Sequence, residues 1–392
     1  MTDRPIVRLR PKADARRIRW GFPWIRSDEL VLDRRTKALP AGSIVDLEDA
    51  ERTPLATVAL TPASRLPARV LDAPGTEIDA DWISARLARA AVMRDRLYDR
   101  PFYRLAHAEA DGLPGVIVDR FGDTAVIQPN AAWAEVRIDD FVTALRDLGI
   151  DRIVKSASGR ARAAEGLDDV SETLVGEMDG PIPVEMNGAT YFADLTGGQK
   201  TGLFYDQRPN HAFVARLSRG ARVLDVFSHV GGFALAALAG GAQSAVAVDG
   251  SAAALDLARR GAEVGGVSDR FETRRSDAFD AMADLAGETF DVVIADPPAF
   301  APSKSALTNG LRAYERVARL AAALVAPGGY LTLCSCSHAA GLEKFRAASI
   351  RGIGRAGRGA QILRTGGAGP DHPIHPQLGE SGYLKALTFR LF

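Results

Sequence analysis

The sequence predicts an α/β protein in which a doubly wound, Rossmann-like sheet is preceded by a small β-barrel and a central α+β domain. From about Gly220 onward, short apolar runs alternate with helical patterns, which argues for parallel strands joined by crossover helices. Before Asp79 the chain reads as short β segments broken by turn signals. With 392 residues it also exceeds one ordinary core, so two or three domains are expected. We place them at 1–75, 76–190 and 191–392.

The first strands are IVRLR, AGSIVDLED, PLATVALTP and ARVLD, with the loop GFPW after the first. Residues 79–100 turn helical, with Ile83, Leu87, Ala91 and Leu97 on one face. GVIVDRFGDTAVIQ reads as a hairpin through Phe121-Gly122-Asp123, and PVEMNGATYFADL as a second through Asn187-Gly188. Five strands then follow in order: ARVLDVF, AVAVD, FETRRSDAF, DVVIAD and GYLTLCS. RGIGRAGRGAQ, at 351–361, is expected to be a loop.

An apolar fraction of 46% with 25% charged residues is a globular composition, and no apolar run approaches the roughly 20 residues of a membrane span. The N-terminus is basic without an apolar signal core, which leads to a cytoplasmic expectation. Cys334 and Cys336 are the sole cysteines; two apart in one strand they are poorly placed to bridge, and reduced thiols fit better. Net charge is zero, yet residues 1–38 hold eleven Lys or Arg against five Asp or Glu, a local +6 of the kind that phosphate backbones respond to. The histidines lack partners at ligand spacing, so no metal is expected.

Four acids stand at or just past successive strand ends: Asp225, Asp249, Asp277 and Asp296. One alone would be a turn cap; four in order suit a shared ligand outside the carboxyl ends of a parallel sheet. The stretch DVFSHVGGF, 225–233, carries Phe227, Ser228, Gly231 and Gly232, and its glycines permit a tight turn and close ligand approach. It is not the G-x-G-x-x-G of a dinucleotide fold. Asp249 is placed for the hydroxyls of a ribose, and Asp277 for an exocyclic adenine amine. A ligand with ribose and adenine but no phosphates describes S-adenosylmethionine, its amino-acid end near the 225–232 loop. Asp296 ends the fourth strand, Pro297 and Pro298 stiffen the turn, and Phe300 offers a stacking surface, an arrangement suited to a planar base. A cysteine at the end of the next strand suits a pyrimidine, because thiolate addition at C6 makes C5 nucleophilic. Cys336, nearer the sheet edge, is the expected nucleophile, and Cys334 is expected to be core.

The motifs GFPWIRSDEL, EADGLPGVIVDRFGD, GGQKTGLFYDQRPN, LDVFSHVGGFAL, ADPPAFAPSK, CSCS, DHPIHP and GYLK resemble those of the bacterial large-subunit ribosomal RNA cytosine-C5 methyltransferases with an N-terminal PUA domain. The resemblance spans nearly the whole chain. It implies a class I S-adenosylmethionine-dependent methyltransferase domain, a PUA domain at 1–75 and an RNA substrate. It further implies that Lys200, Gln207 and Arg208 close over the methionine end of the cofactor, that Cys336 is the nucleophile and that Asp296 contacts the cytosine. His229 and Val230 depart from the family's Tyr-Thr, and a solvent-facing His229 is expected. A purine (guanine) methyltransferase and an RNA-binding scaffold without turnover are the rival readings. A homodimer is compatible with the chain but not specified by it.

Overall fold

The computed structural model describes residues 4–157, 159–197 and 202–392. The chain divides into two compact units, residues 1–180 with 371–381, and residues 181–370 with 382–392.

In the first unit, β1 (Ile6–Arg8), β2 (Trp24–Ile25), β3 (Ser43–Glu48), β4 (Pro54–Leu60) and β5 (Ala68–Asp72) form a sheet of order β1–β3–β4–β5–β2. Two short helices, α1 (Ala15–Arg19) and α2 (Arg34–Lys37), interrupt it. Alternate residues point inward, so Val7, Leu9, Val45, Leu47, Val58 and Leu60 fill one core. A second sheet follows, from β6 (Phe102–His107), β7 (Val116–Phe121), β8 (Thr124–Pro129), β9 (Arg152–Lys155) and β10 (Glu172–Val175), in reverse order β10–β9–β8–β7–β6. Helix α3 (Ala80–Asp95) starts where the Asp79 carboxylate accepts the Trp82 N–H. It buries Ile83, Leu87 and Ala91 as expected. Leu97 lies beyond its last turn and is exposed. Helices α4 (Ala132–Val136), α5 (Ile138–Asp147) and α6 (Arg160–Glu165) complete the unit.

No linker separates the β-module from the central domain. Ala59 and Leu71 share a core with Trp133 and Phe141, and Glu165, 5% exposed, accepts from Arg69, Thr61 and Ser64. Glu165→Ala should therefore destabilise the protein by about 3 kcal/mol, because it leaves the Arg69 guanidinium without one of its two carboxylate partners in a half-buried setting. Urea unfolding checks this; a loss under about 0.5 kcal/mol would mean that the contact is immaterial.

The second unit opens with the hairpin β11 (Ile182–Met186) and β12 (Ala189–Ala193). Asn187 and Gly188 both have positive φ, as a two-residue turn requires. This hairpin, assigned from sequence to the central domain, belongs to the second unit instead, packing on α8 (Gly232–Ala239) and α9 (Ala252–Val264), which follow α7 (Arg208–Leu217) in the chain. The main sheet contains β13 (Arg222–Val226), β14 (Ser244–Asp249), β15 (Phe271–Arg275), β16 (Phe290–Ala295), β17 (Val325–Ser335), β18 (Ala360–Gly366) and β19 (Lys385–Leu391), in the order β15–β14–β13–β16–β17–β19–β18. Alternate side chains go to opposite faces. Leu224, Val293 and Leu331 pack with α10 (Ala278–Asp284), α11 (Leu307–Ala323) and α12 (Leu342–Arg355), while Val223, Val292 and Cys334 pack with α7, α8 and α9.

The sheet is doubly wound as predicted, with two differences: β18 and β19 extend the five expected strands to seven, and β19 runs antiparallel to both β17 and β18. The expected loop at 351–361 is the end of α12, a turn and the start of β18. Its glycines obscured the pattern, yet Gly352 is required there, since a Cβ would meet the Glu315 carbonyl at 2.4 Å. Among the described residues no helix is long and apolar enough to cross a membrane.

Candidate active site

The strand order sets out the candidate residues along one sheet edge. Read across β15, β14, β13, β16 and β17, the strand ends carry Asp277, Asp249, Asp225, Asp296 and Cys336. Three acids therefore stand on one side of Asp296, and the thiol on the other.

The β13–α8 loop is conformationally strained: Phe227, His229 and Gly231 all have positive φ, at 64°, 49° and 79°. Such a conformation in non-glycine residues persists where surrounding contacts enforce it and marks functional loops. Here the His229 N–H donates to Asp249 Oδ2 at 2.9 Å, the Ser228 N–H to the Val248 carbonyl, and the Gly231 N–H to the Ser228 carbonyl. The His229 ring packs edge-on against Phe204 at 5.1 Å, so it is not the solvent-facing side chain expected. Gly231 serves the turn, but Gly232 is glycine for another reason: a Cβ there would meet the His211 ring at 2.8 Å. Its close neighbour is thus a buried histidine of α7, whose burial lowers its pKa to about 3 and keeps it neutral.

Each cofactor-side acid also ties down backbone, the turn-capping role that a lone acid would have. Asp225 Oδ2 accepts the Ala234 N–H at 3.0 Å, Asp249 the N–H groups of His229 and Ser251, and Asp277 those of Phe279 and Asp280. Carboxylates hold about four acceptor sites, so these bonds leave capacity for a ligand. Asp277 is exposed and Asp249 half-buried. Asp225 is fully buried, contrary to a ligand-facing strand end.

Two buried polar atoms in this loop lack a partner, Asp225 Oδ1 and Ser228 Oγ. Burial raises the Asp225 pKa to about 8; the Ala234 N–H opposes this, and the charges of Asp296 and Asp249 add to it. Three carboxyl groups thus crowd one another around an unsatisfied oxygen. Such a place suits a cationic ligand with hydrogen-bond donors, and the sulfonium and ammonium of S-adenosylmethionine fit it. Phe227 stacks edge-on with Phe279 and Phe300, at 6.5 and 6.4 Å, and the three offer apolar surface between the Asp249 and Asp296 strand ends.

Phe300 is not a free stacking surface: Phe227, Phe279 and Tyr314 surround it, Tyr314 at 5.0 Å. Pro297 is buried and Pro298 exposed. Asp296, half-buried, accepts from Gln207 Nε2 at 2.8 Å. Gln207 is itself fixed by Asn210, whose amide donates to Gln207 Oε1 and to the Gly367 carbonyl. Arg208 lies over the Tyr205 ring at 5.4 Å. Lys200 lies outside the described residues. Gln207 therefore adjoins the acid expected at the substrate, in addition to any part it has at the cofactor.

The two cysteines occupy unlike environments, and neither forms a disulfide. Cys334 is 1% exposed within β17; burial, then the charge of Asp296, pushes its thiol well above the ordinary range despite a hydrogen bond from Gln207. Cys336 is half-buried, one residue past the end of β17. Its neighbours are clamped: Ser335 Oγ donates to the Tyr314 hydroxyl at 2.9 Å, and Ser337 Oγ pairs with the same hydroxyl at 2.7 Å. The Ala301 N–H, from the Asp-Pro-Pro loop, donates to Ser337 Oγ. Tyr314 was not picked out from the sequence, and Asn210 and Lys385, though they end the motifs GGQKTGLFYDQRPN and GYLK, were given no role there. Tyr314 sits in a helix and Lys385 in a strand on the far side of α12, and neither lies in a local motif that ties it to Cys336.

Comparison with known proteins agrees with this architecture. Residues 158–390 match the family described as S-adenosylmethionine-dependent methyltransferase, and residues 7–73 match a PUA-like domain. The chain is 37% identical over 395 residues to "Ribosomal RNA large subunit methyltransferase I" of Aeromonas salmonicida, covering 98% of each. It is 35% identical over 405 residues to the Klebsiella pneumoniae protein of that name, covering 100% of each. A solved chain described as a candidate methyltransferase complexed with SAH shares the fold, with a TM-score of 0.82 at 20% identity, over 98% of this chain and 99% of that one. The cofactor of this protein is S-adenosylmethionine. The chain belongs to the S-adenosylmethionine-dependent methyltransferases with a PUA-like domain, the family that includes the ribosomal RNA large subunit methyltransferases I.

Proposed function

We propose that this enzyme methylates C5 of a cytosine in large-subunit ribosomal RNA, with Cys336 as the nucleophile. The observation that carries the reading is the half-buried Cys336 beyond the strand adjoining Asp296, set between two serines that bind one tyrosine hydroxyl. S-adenosylmethionine supplies the methyl group. Cys336, as thiolate, adds to C6 of the base and leaves C5 able to accept the methyl; the C5 proton then passes to a base or to solvent, its bonding pair re-forms the C5–C6 double bond, and the S–C6 pair leaves with sulfur to regenerate the thiolate. Asp296, steadied by Gln207, is suited to hydrogen-bond the edge of the cytosine, while Asp249, Asp277, Ser228 and the 225–232 loop hold the cofactor. The relatives' name supports ribosomal RNA as the substrate. So does the PUA-like module, where Lys12, Arg16, Arg26, Arg34, Arg35 and Lys37 are exposed, as is Trp20 at 69%, basic and aromatic side chains of the kind that suit RNA.

Nucleoside mass spectrometry of ribosomal RNA incubated with the protein and labelled S-adenosylmethionine tests the proposal. Label in 5-methylcytidine is the expected result. Label in a methylated guanosine would establish the purine reading, and no transfer to any ribosomal RNA preparation, with RNA still bound, the scaffold reading.

A further inference from the structure

Lys385 opens β19 directly opposite Ser335 of β17, and it is 7% exposed. Its Nζ donates to the carbonyls of Ser337 and Tyr383, each at 2.7 Å. The strand register thus fixes Lys385 beside the residue before Cys336, and a hydrogen bond fixes its ammonium on the residue after. Two carbonyls satisfy two N–H groups but do not neutralise the charge, and a buried cation without a nearby anion is costly. Burial lowers the Lys385 pKa to about 8, and Cys336 opposes that lowering, so the thiol and the ammonium are within electrostatic reach.

Other titratable groups face the same place. From α11 comes the Tyr314 hydroxyl, which also responds to Cys336; from β17 itself comes Cys334, which responds to Asp296 at the end of β16. His338 is exposed and lies 5.5 Å from the Tyr383 ring. Lys385 is the buried cation of this set.

We propose that Lys385 is a positioning residue that keeps Cys336 in its thiolate form, by holding a buried ammonium against the turn that carries the thiol. This rests on the reading of Cys336 as the nucleophile. When the thiol ionises its proton passes to solvent, and the anion left behind meets a cation whose backbone hydrogen bonds prevent it from swinging away. The same anion removes the penalty of burying that cation.

The test is the rate of Cys336 alkylation by iodoacetamide in the full-length protein from pH 5 to 10, read by mass spectrometry of the Cys336 peptide. In the wild type the midpoint should lie about one unit below the ~8.5 of an ordinary thiol. Lys385→Met should raise it by about one unit, and Lys385→Arg should keep it near the wild-type value, with thermal melts reporting that each variant is folded. An unmoved midpoint in folded Lys385→Met overturns the proposal. Should that variant not fold, a wild-type midpoint at or above ~8.5 overturns it equally. Alkylation requires neither RNA nor turnover. A Cys336→Ala protein that still methylates would defeat the nucleophile reading, while the pH profile would still decide the role of Lys385.

Discussion

Replacing Cys336 with alanine is expected to reduce methyl transfer by at least about a thousandfold while S-adenosylmethionine still binds. Under the proposed mechanism the Cys336 thiol forms the bond to C6, so its loss would remove a covalent step. Cys334 is no substitute, because it is buried within β17 and its thiol is held protonated. The substitution should be structurally mild: Tyr314 keeps its bonds to Ser335 and Ser337, and the Ala301 N–H keeps Ser337. Label transfer into RNA and calorimetric titration with the cofactor measure the two halves of the expectation. Activity within tenfold of wild type would remove Cys336 from the chemistry.

The second large effect is expected at Asp225. With its pKa raised to about 8 by burial, against 3.8 for an ordinary aspartate, the folded cofactor-free protein holds a proton there at pH 7 that the unfolded chain has released. The stabilising contribution is complete below about pH 3.8 and is lost as pH rises through about 8. Asp225→Asn removes this pH dependence and keeps an oxygen to accept the Ala234 N–H. The cofactor-free variant should therefore melt no lower than wild type at pH 8. Binding should move the opposite way: loss of a charge-assisted contact to a cationic ligand should weaken S-adenosylmethionine by about 10- to 100-fold. In the wild type, affinity should rise with pH up to about 8 and binding should release protons, which titrations in buffers of different ionisation heat would detect. A variant that binds as tightly as wild type would show that the Asp225 carboxylate serves the loop alone.

What the sequence revealed was whatever one strand end or one turn encodes locally. The strand-end positions of Asp249, Asp296 and Cys336 could be read because each follows a β run whose hydrophobic period is plain. Asn187-Gly188 could be read because a two-residue turn needs those residues. The partners of these residues were hidden, being set by register and packing between distant segments. Nothing near Gln207 announces that its amide meets Asp296, and nothing near Lys385 announces Ser337. Gly232 misled for a related reason: a glycine kept for a buried neighbour reads the same as one kept for a ligand. The antiparallel β19 was missed because its strand, ending the chain, has no crossover helix to advertise its direction.

The return of residues 371–381 to the first unit is secured by a buried network. Asp371 accepts from the Tyr98 hydroxyl and the Arg104 N–H, and its own carbonyl receives Arg94, a fully buried guanidinium that also grips Asp111 through two bonds. His107, its pKa lowered to about 2 chiefly by burial, stays neutral beside His372 at 5.0 Å. The backbone consequently passes between the units three times, and β19 with its Lys385 is reached only by way of the first unit. A gene segment cut at residue 181 would carry Asp371 and His372 away from the groups that satisfy them, and one stopped at residue 370 would lack β19, the strand between β17 and β18. Neither half is a contiguous cassette: each unit is assembled from two separate stretches of the chain, so a single cut releases neither one whole.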